Sequence, residues 1–275
     1  MKFTLAMVQL RVKGGAATSN LDRAVEWIGK AAARGAQVIL LPEALDAGWT
    51  HPSAPSLATP IPDGESCRKL CAAARLHGVY VGAGLTERAD KGTYNAAVLI
   101  APTGNVALHH RKLNELEIGH ACYRLGDRLG VARTPFGTFG LMICADAFAR
   151  GQVVSRTLGL MGADVILSPC AWAVEAGHNN LREPYGQLWR EHYGPVARDF
   201  RLWIAGCSNV GPITGGPWAG RKCIGCSLLV GPDGGQVLQG PYGEAAEALL
   251  LADISPVPRP AQGDGWERWW DAASD

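Results

Sequence analysis

The segment Gly140-Leu-Met-Ile-Cys144-Ala-Asp146 decides how the rest of this 275-residue chain is interpreted. Three consecutive apolar residues, Leu141 to Ile143, predict a buried strand, and a cysteine follows at once. Strand ends in α/β sheets hold a side chain firmly and leave it reachable, which suits catalytic groups. Free cysteines are also common packing residues in protein cores. The position of Cys144 alone therefore does not distinguish a nucleophile from a core residue.

Predicted strands and helices alternate on both sides of this segment in two similar halves. The first half is predicted to contain a strand over 1–10, a helix over 20–34, strands over 37–41 and 79–85 with a helix over 65–76 between them, and a hairpin of strands 94–101 and 106–109. The second half is predicted to contain strands over 139–143, 164–168 and 202–208, helices over 152–161 and 183–200, and a hairpin of strands 225–230 and 236–238.

Each half thus combines βα units with one hairpin. A strand, a helix and a second strand within about forty residues indicate a parallel pair covered by the helix. A hairpin adds antiparallel strands to the same sheet, so each sheet is expected to be mixed. We therefore predict an α/β fold in which two mixed sheets pack face to face and carry helices on their outer faces.

The composition is that of an ordinary soluble globular protein. Hydrophobic residues make up 47%, charged residues 19%, and the formal net charge is +1, which gives no electrostatic reason to expect nucleic acid or an anionic membrane as a partner. No apolar run is long enough to span a bilayer, and the N-terminal segment lacks a clean cleavage site for export. Eight cysteines in a chain of this size are expected to be reduced thiols, which favours a cytoplasmic location.

Four of the cysteines have a spacing that invites a metal site. Cys223 and Cys226 form a CxxC pair, and Cys67 and Cys71 are the nearest candidates to complete a four-sulfur zinc site. The second pair, however, has CxxxC spacing on a helical pattern, and the first pair runs into a predicted strand. We therefore expect no metal, and a redox role for the CxxC pair is equally disfavoured because no helix pattern follows it.

Two further strand ends carry chemistry that complements a thiol. Glu43 follows the predicted strand 37–41, and Lys112 follows the predicted strand 106–109. A carboxylate can accept the thiol proton, while an ammonium lowers the thiol pKa and stabilises an oxyanion on the attacked carbon. Glu43 as a surface carboxylate and Lys112 as part of a solvated basic run remain possible from these residues alone.

Three short segments in a fixed order resemble a known family. Leu41-Pro-Glu43, His110-Arg-Lys112 and the segment around Cys144 are similar to the three signature segments of the carbon-nitrogen hydrolase (nitrilase) superfamily. The likeness continues through Tyr94-Asn95 and Gly225–Gly234, so it spans the chain to about Ile254. It implies a four-layer α-β-β-α sandwich over 1–255, which agrees with the two halves predicted above.

The resemblance also implies a reaction. In it Cys144 is the nucleophile, Glu43 the general base, and Lys112 the cation that stabilises the tetrahedral intermediate, with help from the backbone N–H of Ala145. Cys144 would attack an amide carbonyl or a nitrile carbon, ammonia or an amine would leave, and water activated by Glu43 would hydrolyse the thioester. The family chemistry needs no metal and no organic cofactor.

Other site residues are harder to place. Many members of the superfamily carry a second active-site glutamate after the lysine, and both Glu115 and Glu117 are candidates. We favour Glu117 because an Ile-Gly pair follows it, although its spacing from Lys112 is shorter than is common. Ala145, Trp49 and Trp172 are the candidates for contact with substrate, and Asp146 is expected to order the turn after Cys144 through backbone hydrogen bonds.

The leading hypothesis is therefore a thiol hydrolase that cleaves a small amide or an N-carbamoyl compound, with a nitrile as the alternative substrate. A papain-like enzyme that pairs Cys144 with His120 or His178, and a catalytically silent scaffold that binds a small ligand, are the competing hypotheses. Relatives commonly form homodimers or larger homo-oligomers. The tail 256–275 contains Trp266, Trp269 and Trp270, which suggests that it docks on its own domain or on a partner subunit.

Overall fold

The computed structural model describes residues 2–258. The helices are α1 (Ala17–Ala33), α2 (Ala54–Leu57), α3 (Glu65–His77), α4 (Val153–Leu160) and α5 (Gln187–Phe200). The strands are β1 (Phe3–Gln9), β2 (Val38–Leu40), β3 (Tyr80–Ala89), β4 (Gly92–Ile100), β5 (Val106–Arg111), β6 (Val131–Thr134), β7 (Gly137–Leu141), β8 (Val165–Cys170), β9 (Ala173–Val174), β10 (Trp203–Ser208), β11 (Val210–Pro212), β12 (Lys222–Ile224), β13 (Leu228–Val230), β14 (Gln236–Gln239) and β15 (Ala248–Ile254).

Two six-stranded mixed sheets form the centre of the molecule. The first sheet has the strand order β15-β1-β2-β3-β4-β5, in which β1, β2 and β3 are parallel and the other pairs are antiparallel. The second sheet has the order β14-β13-β10-β8-β7-β6, and its parallel strands are β7, β8 and β10. The predicted pair of mixed sheets, each built from βα units and a hairpin, is confirmed.

The packing of β2 shows why the molecule has four layers. Val38 and Leu40 point into the apolar core between the two sheets, whereas Ile39 points into the core beneath α1 and α3. Successive side chains of a strand face opposite sides, so a strand that is buried on both sides needs a continuous apolar run. The second sheet repeats this arrangement, with α4 and α5 on its outer face. The result is the predicted α-β-β-α sandwich.

Several element boundaries differ from the prediction. The strand expected over 139–143 ends at Leu141, and a 3₁₀ helix (Cys144–Phe148) begins at the cysteine. The strand expected over 225–230 begins only at Leu228 of β13, because Gly225 and Cys226 have φ angles of 69° and 58°, outside the range of extended strands, and separate β13 from β12.

The sequence analysis missed three parts of the fold. Strand β6 forms a hairpin with β7, a small sheet of order β11-β12-β9 forms beside the main sheets, and β15 pairs along the whole length of β1. The sequence of β15 is rich in alanine and leucine, which are strong helix formers, so only its pairing with β1 identifies it as a strand.

The carboxyl ends of the parallel strands from both sheets meet at one edge of the sandwich. There the backbone N–H of Glu43, just beyond β2, donates to the carbonyl oxygen of Cys170 at the end of β8, at 3.2 Å. This hydrogen bond joins the first sheet to the second. In the part of the chain that the structure describes, no helix is long and apolar enough to cross a membrane. The predicted docking tail lies outside the described residues from position 259 onward.

Candidate active site

Lys112 lies between two carboxylates at the edge of the sandwich where the carboxyl ends of the parallel strands meet. Its Nζ is 2.8 Å from Oε1 of Glu43 and 2.9 Å from Oε1 of Glu115, and the three side chains are each about 1% exposed. Lys112 follows β5 directly, and its backbone N–H donates to the carbonyl oxygen of Asn95 on β4. A buried ion pair contributes little net stability because both charges lose their hydration. A buried cluster with two negative charges and one positive charge therefore points to a functional role.

Within the cluster of Glu43, Lys112 and Glu115, neighbouring charges shift the pKa values of Lys112 and Glu43. Burial works against the ammonium of Lys112, but the carboxylates of Glu43 and Glu115 outweigh it and raise the pKa of Lys112 well above its usual value. Burial raises the pKa of Glu43, the nearby Lys112 opposes this shift, and the charge of Glu115 adds to it. Lys112 thus stays cationic, while Glu43 is a stronger base than an exposed carboxylate.

Asn95 connects the two carboxylates. Its side-chain Nδ2 donates to Oε1 of Glu43 at 2.6 Å and to Oε2 of Glu115 at 2.9 Å. Glu43 Oε1 therefore accepts hydrogen bonds from both Lys112 and Asn95. Glu43 Oε2 is buried and has no hydrogen-bond partner among the described residues. That oxygen is free to accept a proton.

Cys144 lies in a tight turn at the end of the second sheet's strand β7. Its φ angle is 44°, in the left-handed region that side chains rarely occupy, and its N–H donates to Oγ of Ser168 at 3.2 Å. The residue keeps partial exposure. Burial, a hydrogen bond with Cys170 and the charge of Glu43 raise the thiol pKa well above its ordinary value, against the opposing charge of Lys112. The resting sulfur is therefore a neutral thiol, and the charges of Glu43 and Lys112 both influence its pKa.

Asp146 ties the lysine segment to the cysteine turn. Its Oδ2 accepts from the backbone N–H of Ile143 at 2.8 Å and is 2.8 Å from Nε2 of His110, while its Oδ1 accepts from the backbone N–H groups of Leu113 and Asn114. Burial alone would raise the pKa of Asp146, but His110 and these N–H groups outweigh it and lower the pKa. Asp146 orders the turn through backbone hydrogen bonds, as predicted.

Of the two candidate glutamates, the structure places Glu115 in the cluster and not the favoured Glu117. Glu117 begins a 3₁₀ helix (Glu117–Gly119) and is exposed to solvent. Glu115 is buried on Lys112, and its Oε1 also accepts from Nε1 of Trp49 at 3.3 Å. The chain turns immediately after Lys112, so three residues of spacing bring Glu115 back to the ammonium, whereas Glu117 has already left the cluster. Glu115, three residues after Lys112, is thus the candidate that contacts the ammonium.

The three residues expected to contact substrate lie in different surroundings. Trp49 is beside the cluster, with the Nζ of Lys112 5.5 Å from its ring centre. Ala145 is buried within the cysteine turn, and its carbonyl oxygen accepts from Nδ2 of Asn114 at 2.6 Å. Trp172 is 1% exposed and stacks on Trp189 at 4.4 Å in the core beneath α5. Substrate contact by Trp172 stays a prediction that no observed contact supports.

The residues named in the competing hypotheses lie elsewhere. His120 is exposed, and Nδ1 of His178 is 2.9 Å from the hydroxyl of Tyr242, so within residues 2–258 neither pairs with Cys144. All eight cysteines are free thiols. Over the same residues there is no group of three or more His, Cys, Asp or Glu side chains placed to hold a metal ion.

Three residues around the site were not given a role from the sequence: Asn95, His110 and Ser168. Asn95 carried a usable signal, because it is an amide directly before the apolar run Ala96–Ile100 of β4, and like that run it is buried. A polar side chain at such a position needs a specific partner. The partner of His110 is Asp146, 36 residues further along the chain, and the sequence does not reveal this pairing.

Comparison with known proteins adds to this geometry. A family model described as carbon-nitrogen hydrolase matches residues 4–258. The chain is 32% identical over 237 residues to a nitrilase of Pyrococcus abyssi (strain GE5 / Orsay), a match that covers 83% of this chain and 81% of that protein. It is 30% identical over 186 residues to the omega-amidase NIT2 of Xenopus tropicalis, covering 64% of this chain and 66% of that relative.

The fold is also similar to solved structures. The structure of Nit3 from Saccharomyces cerevisiae, described as a member of branch 10 of the nitrilase superfamily, matches with a TM-score of 0.77. Sequence identity is 22%, and the match covers 93% of this chain and 90% of that chain. At this identity the likeness concerns the fold, which is the same four-layer sandwich.

Proposed function

Because this chain belongs to the carbon-nitrogen hydrolase family, we propose that it hydrolyses a small amide or an N-carbamoyl compound through a thioester on Cys144. The observation that carries the proposal is the cluster of Glu43, Lys112 and Glu115 beside a thiol on a strained turn. Such a site holds a base, a cation and a nucleophile, which are the groups that acyl transfer needs.

The first step is attack by Cys144. The raised thiol pKa means that the proton has to be removed as the carbon–sulfur bond forms. Oε2 of Glu43 accepts this proton, because Oε1 is already held by Lys112 and Asn95. General-base assistance of this kind is worth about 10²- to 10⁴-fold in rate.

The second requirement is to stabilise the tetrahedral oxyanion. The ammonium of Lys112 has three N–H donors, of which the two carboxylates take one each. The third is available to the oxyanion, and the backbone N–H of Ala145 is the second proposed donor. The raised pKa of Lys112 keeps this charge in place throughout the neutral and mildly alkaline range.

The remaining steps use the same base. Glu43 passes its proton to the leaving nitrogen, so ammonia or an amine departs and a thioester remains on Cys144. Water then loses a proton to Glu43 and attacks the thioester, which releases the acid and restores the thiol. No step calls for a group outside the chain, the substrate and water.

The substrate class has two candidates. The omega-amidase relative supports an amide, and the nitrilase relative supports a nitrile. We place the amide first, because the same cluster then acts on a carbonyl whose oxygen develops charge beside Lys112. A nitrile substrate would use the same nucleophile on a carbon–nitrogen triple bond.

Ammonia release tests the proposal. The purified chain is incubated with a panel of small carboxamides, N-carbamoyl amino acids and nitriles, with Cys144→Ala as the matched control. We expect release from at least one amide or carbamoyl compound, and a loss of at least about 10³-fold in Cys144→Ala. Equal rates in the two proteins would refute the enzyme mechanism and favour a silent scaffold, and turnover of nitriles alone would reverse the order of the two substrate classes.

Two expectations about the whole protein also stay proposals. We propose a cytoplasmic location, supported by eight free thiols in a chain of this size. We also propose a homodimer or a larger homo-oligomer, with the tail 256–275 as a contributor. A monomeric mass in solution would remove the second proposal.

A further inference from the structure

Asn95 contacts every charged member of the cluster. Its side-chain Nδ2 donates to Glu43 and Glu115, and its backbone carbonyl oxygen accepts the N–H of Lys112 at 2.9 Å. The residue has no exposed surface. It lies on β4, next to the strand β5 that leads into Lys112 and across from β3.

These contacts make the two oxygens of Glu43 different. Oε1 accepts from Lys112 at 2.8 Å and from Asn95 at 2.6 Å, while Oε2 has no partner within residues 2–258. Two donors on one oxygen restrict rotation of the Glu43 carboxylate about its Cγ–Cδ bond. The free oxygen therefore keeps a fixed direction.

A role in stability alone does not explain this arrangement. The other end of the same amide, Oδ1 of Asn95, is buried and has no hydrogen-bond partner within residues 2–258. An unsatisfied buried acceptor is destabilising, and nearly all buried polar atoms in proteins avoid that state. Such exceptions concentrate at functional sites, where one interaction is kept at the expense of another.

We propose that Asn95 is a positioning residue for proton transfer: its amide fixes Glu43 through Oε1 and so presents Oε2 to the thiol of Cys144. The inference rests on the proposed function, since it takes Glu43 as the base that receives the thiol proton. Asn95 itself does not touch the reacting atoms. It acts through Glu43 and, by its second hydrogen bond, through Glu115.

The inference has a consequence for the pH dependence of thiol reactivity. The hydrogen bond from Asn95 lowers the pKa of Glu43 against the larger effect of burial. The groups that face Glu43 are Lys112, Glu115, Asn95, Cys144 and the buried thiol of Cys223. Glu43 must be ionised to act as a base, so the reaction slows as the pH falls through the pKa of Glu43. This fall in rate is the acid limb of the pH–rate profile. Removal of the Asn95 amide therefore moves this acid limb to higher pH, whereas Lys112 stays charged and adds no limb near neutrality.

The test measures alkylation of Cys144 by iodoacetamide, which needs no knowledge of the substrate. The thiol proton goes to Glu43, the sulfur–carbon bond forms and iodide leaves. The modified peptide is followed by mass spectrometry, so that the other seven cysteines do not contribute. In Asn95→Ala we expect about a 10- to 100-fold slower reaction at neutral pH, which corresponds to one lost hydrogen bond to a charged group, and an acid limb shifted upward.

Gln9→Ala is the matched control. Gln9 is also a fully buried amide, and its Nε2 donates to the carbonyl oxygens of Pro241 at 2.9 Å and Ala246 at 2.5 Å, away from the cluster. This variant should lose stability and keep the wild-type acid limb. Asn95→Asp has the shape of asparagine and serves if the alanine variant does not fold. It removes both donors and adds a third negative charge, so its reaction should be slower still.

Glu43→Gln in the same assay separates the two proposals. If Glu43→Gln slows alkylation and Asn95→Ala leaves both the rate and the limb unchanged, the positioning role is refuted and the base role stands. If Glu43→Gln reacts like the wild type, the base role itself fails. A shifted limb in Asn95→Ala, with an unshifted limb in Gln9→Ala, supports the inference.

Discussion

Lys112 has two carboxylate neighbours, and the second one decides how firmly its charge is held. With Glu43 alone, the buried ammonium would form a neutral pair with the residue that has to exchange protons. With Glu115 as a second partner, the ammonium keeps a counter-charge whenever Glu43 is protonated. The lysine therefore remains a cation through every stage of the proposed cycle. In the proposed mechanism, Glu115 therefore acts by holding Lys112.

The two candidate glutamates give a direct test at the residue scale. We expect Glu115→Gln to lower kcat/KM by about 10- to 100-fold, because a charged hydrogen bond to Lys112 and part of the force that raises the lysine pKa are lost. Glu117→Gln should stay near the wild type, because Glu117 is exposed and two residues further along. Steady-state kinetics on the best amide from the substrate panel makes the measurement.

Equal losses in the two glutamate variants would contradict the assignment. A melting temperature measured for each protein shows whether a loss of activity comes from unfolding. Glu117→Gln should hardly change the melting temperature, since substitutions at exposed positions usually change the free energy of unfolding by no more than about 0.5 kcal/mol.

At the scale of single elements, β3 sets the position of Glu43, the proposed general base. Gly84 of β3 lies against the turn that carries Glu43, and its backbone pairs with that turn on both sides: its N–H donates to Pro42 and its carbonyl oxygen accepts from Leu45. A Cβ atom at position 84 would lie 2.5 Å from the Cα of Glu43 and 2.8 Å from the carbonyl oxygen of Pro42. Backbone atoms cannot rotate away, so the turn itself would have to move.

Gly84→Ala should therefore reduce activity more than stability. We expect kcat/KM to fall by about 100-fold, the loss that a misplacement of about 1 Å produces at a catalytic site. The cost in free energy of unfolding should be about 1–3 kcal/mol, as for other overpacked sites. Enzyme kinetics and urea denaturation are measured on the same preparation.

Gly177→Ala is the control for this substitution. Gly177 is exposed, and a Cβ atom there would meet nothing within 4 Å. It should behave like the wild type in both measurements. Full activity of Gly84→Ala would show that the Glu43 turn tolerates displacement and would contradict the role assigned to β3.

The elements also show what can be predicted from the sequence. Most strands and helices follow from continuous apolar runs and helical spacing, because burial on both faces of a sheet leaves a simple pattern. The three residues Glu43, Lys112 and Cys144 follow from short signature segments. Glu115 and Asn95 do not, since the first depends on a tight turn after Lys112 and the second on strand pairing. Strand β15 is likewise identified only by its pairing with β1, in which Ala248 lies opposite Gln9, 239 residues earlier in the chain.

At the scale of the whole molecule, the site depends on the packing between the two sheets. Asn95 lies in the first sheet, and Glu43 and Lys112 follow its strands β2 and β5. Ser168 lies in the second sheet, and Cys144 follows its strand β7. Phe139 of β7 is fully buried in the core between the sheets and packs on Phe3 of β1, with ring centres 5.7 Å apart. Side chains such as these set how the site residues of the two sheets face each other.

Phe139→Ala tests this dependence. We expect a loss of about 3–5 kcal/mol in the free energy of unfolding, from the lost burial and the cavity that remains. We also expect a fall in kcat beyond the fraction of unfolded protein, because the sheets can then shift relative to each other. Leu181→Ala is the control, since Leu181 is 94% exposed and should change neither quantity. Normal kcat in the folded fraction of Phe139→Ala would contradict the link between sheet packing and activity.

The antiparallel return of β15 to the edge of β1 has a consequence for biosynthesis. Residues 3–112 carry the proposed base and the cation, and the thiol follows at position 144, but the first sheet is closed only when residues 248–254 pair with β1. A ribosome must therefore release the chain through Ile254 before the first sheet has its last strand. A nascent chain stalled before that point holds all the reactive side chains in an unfinished sandwich, so hydrolytic activity should begin only after residues 248–254 have left the ribosome.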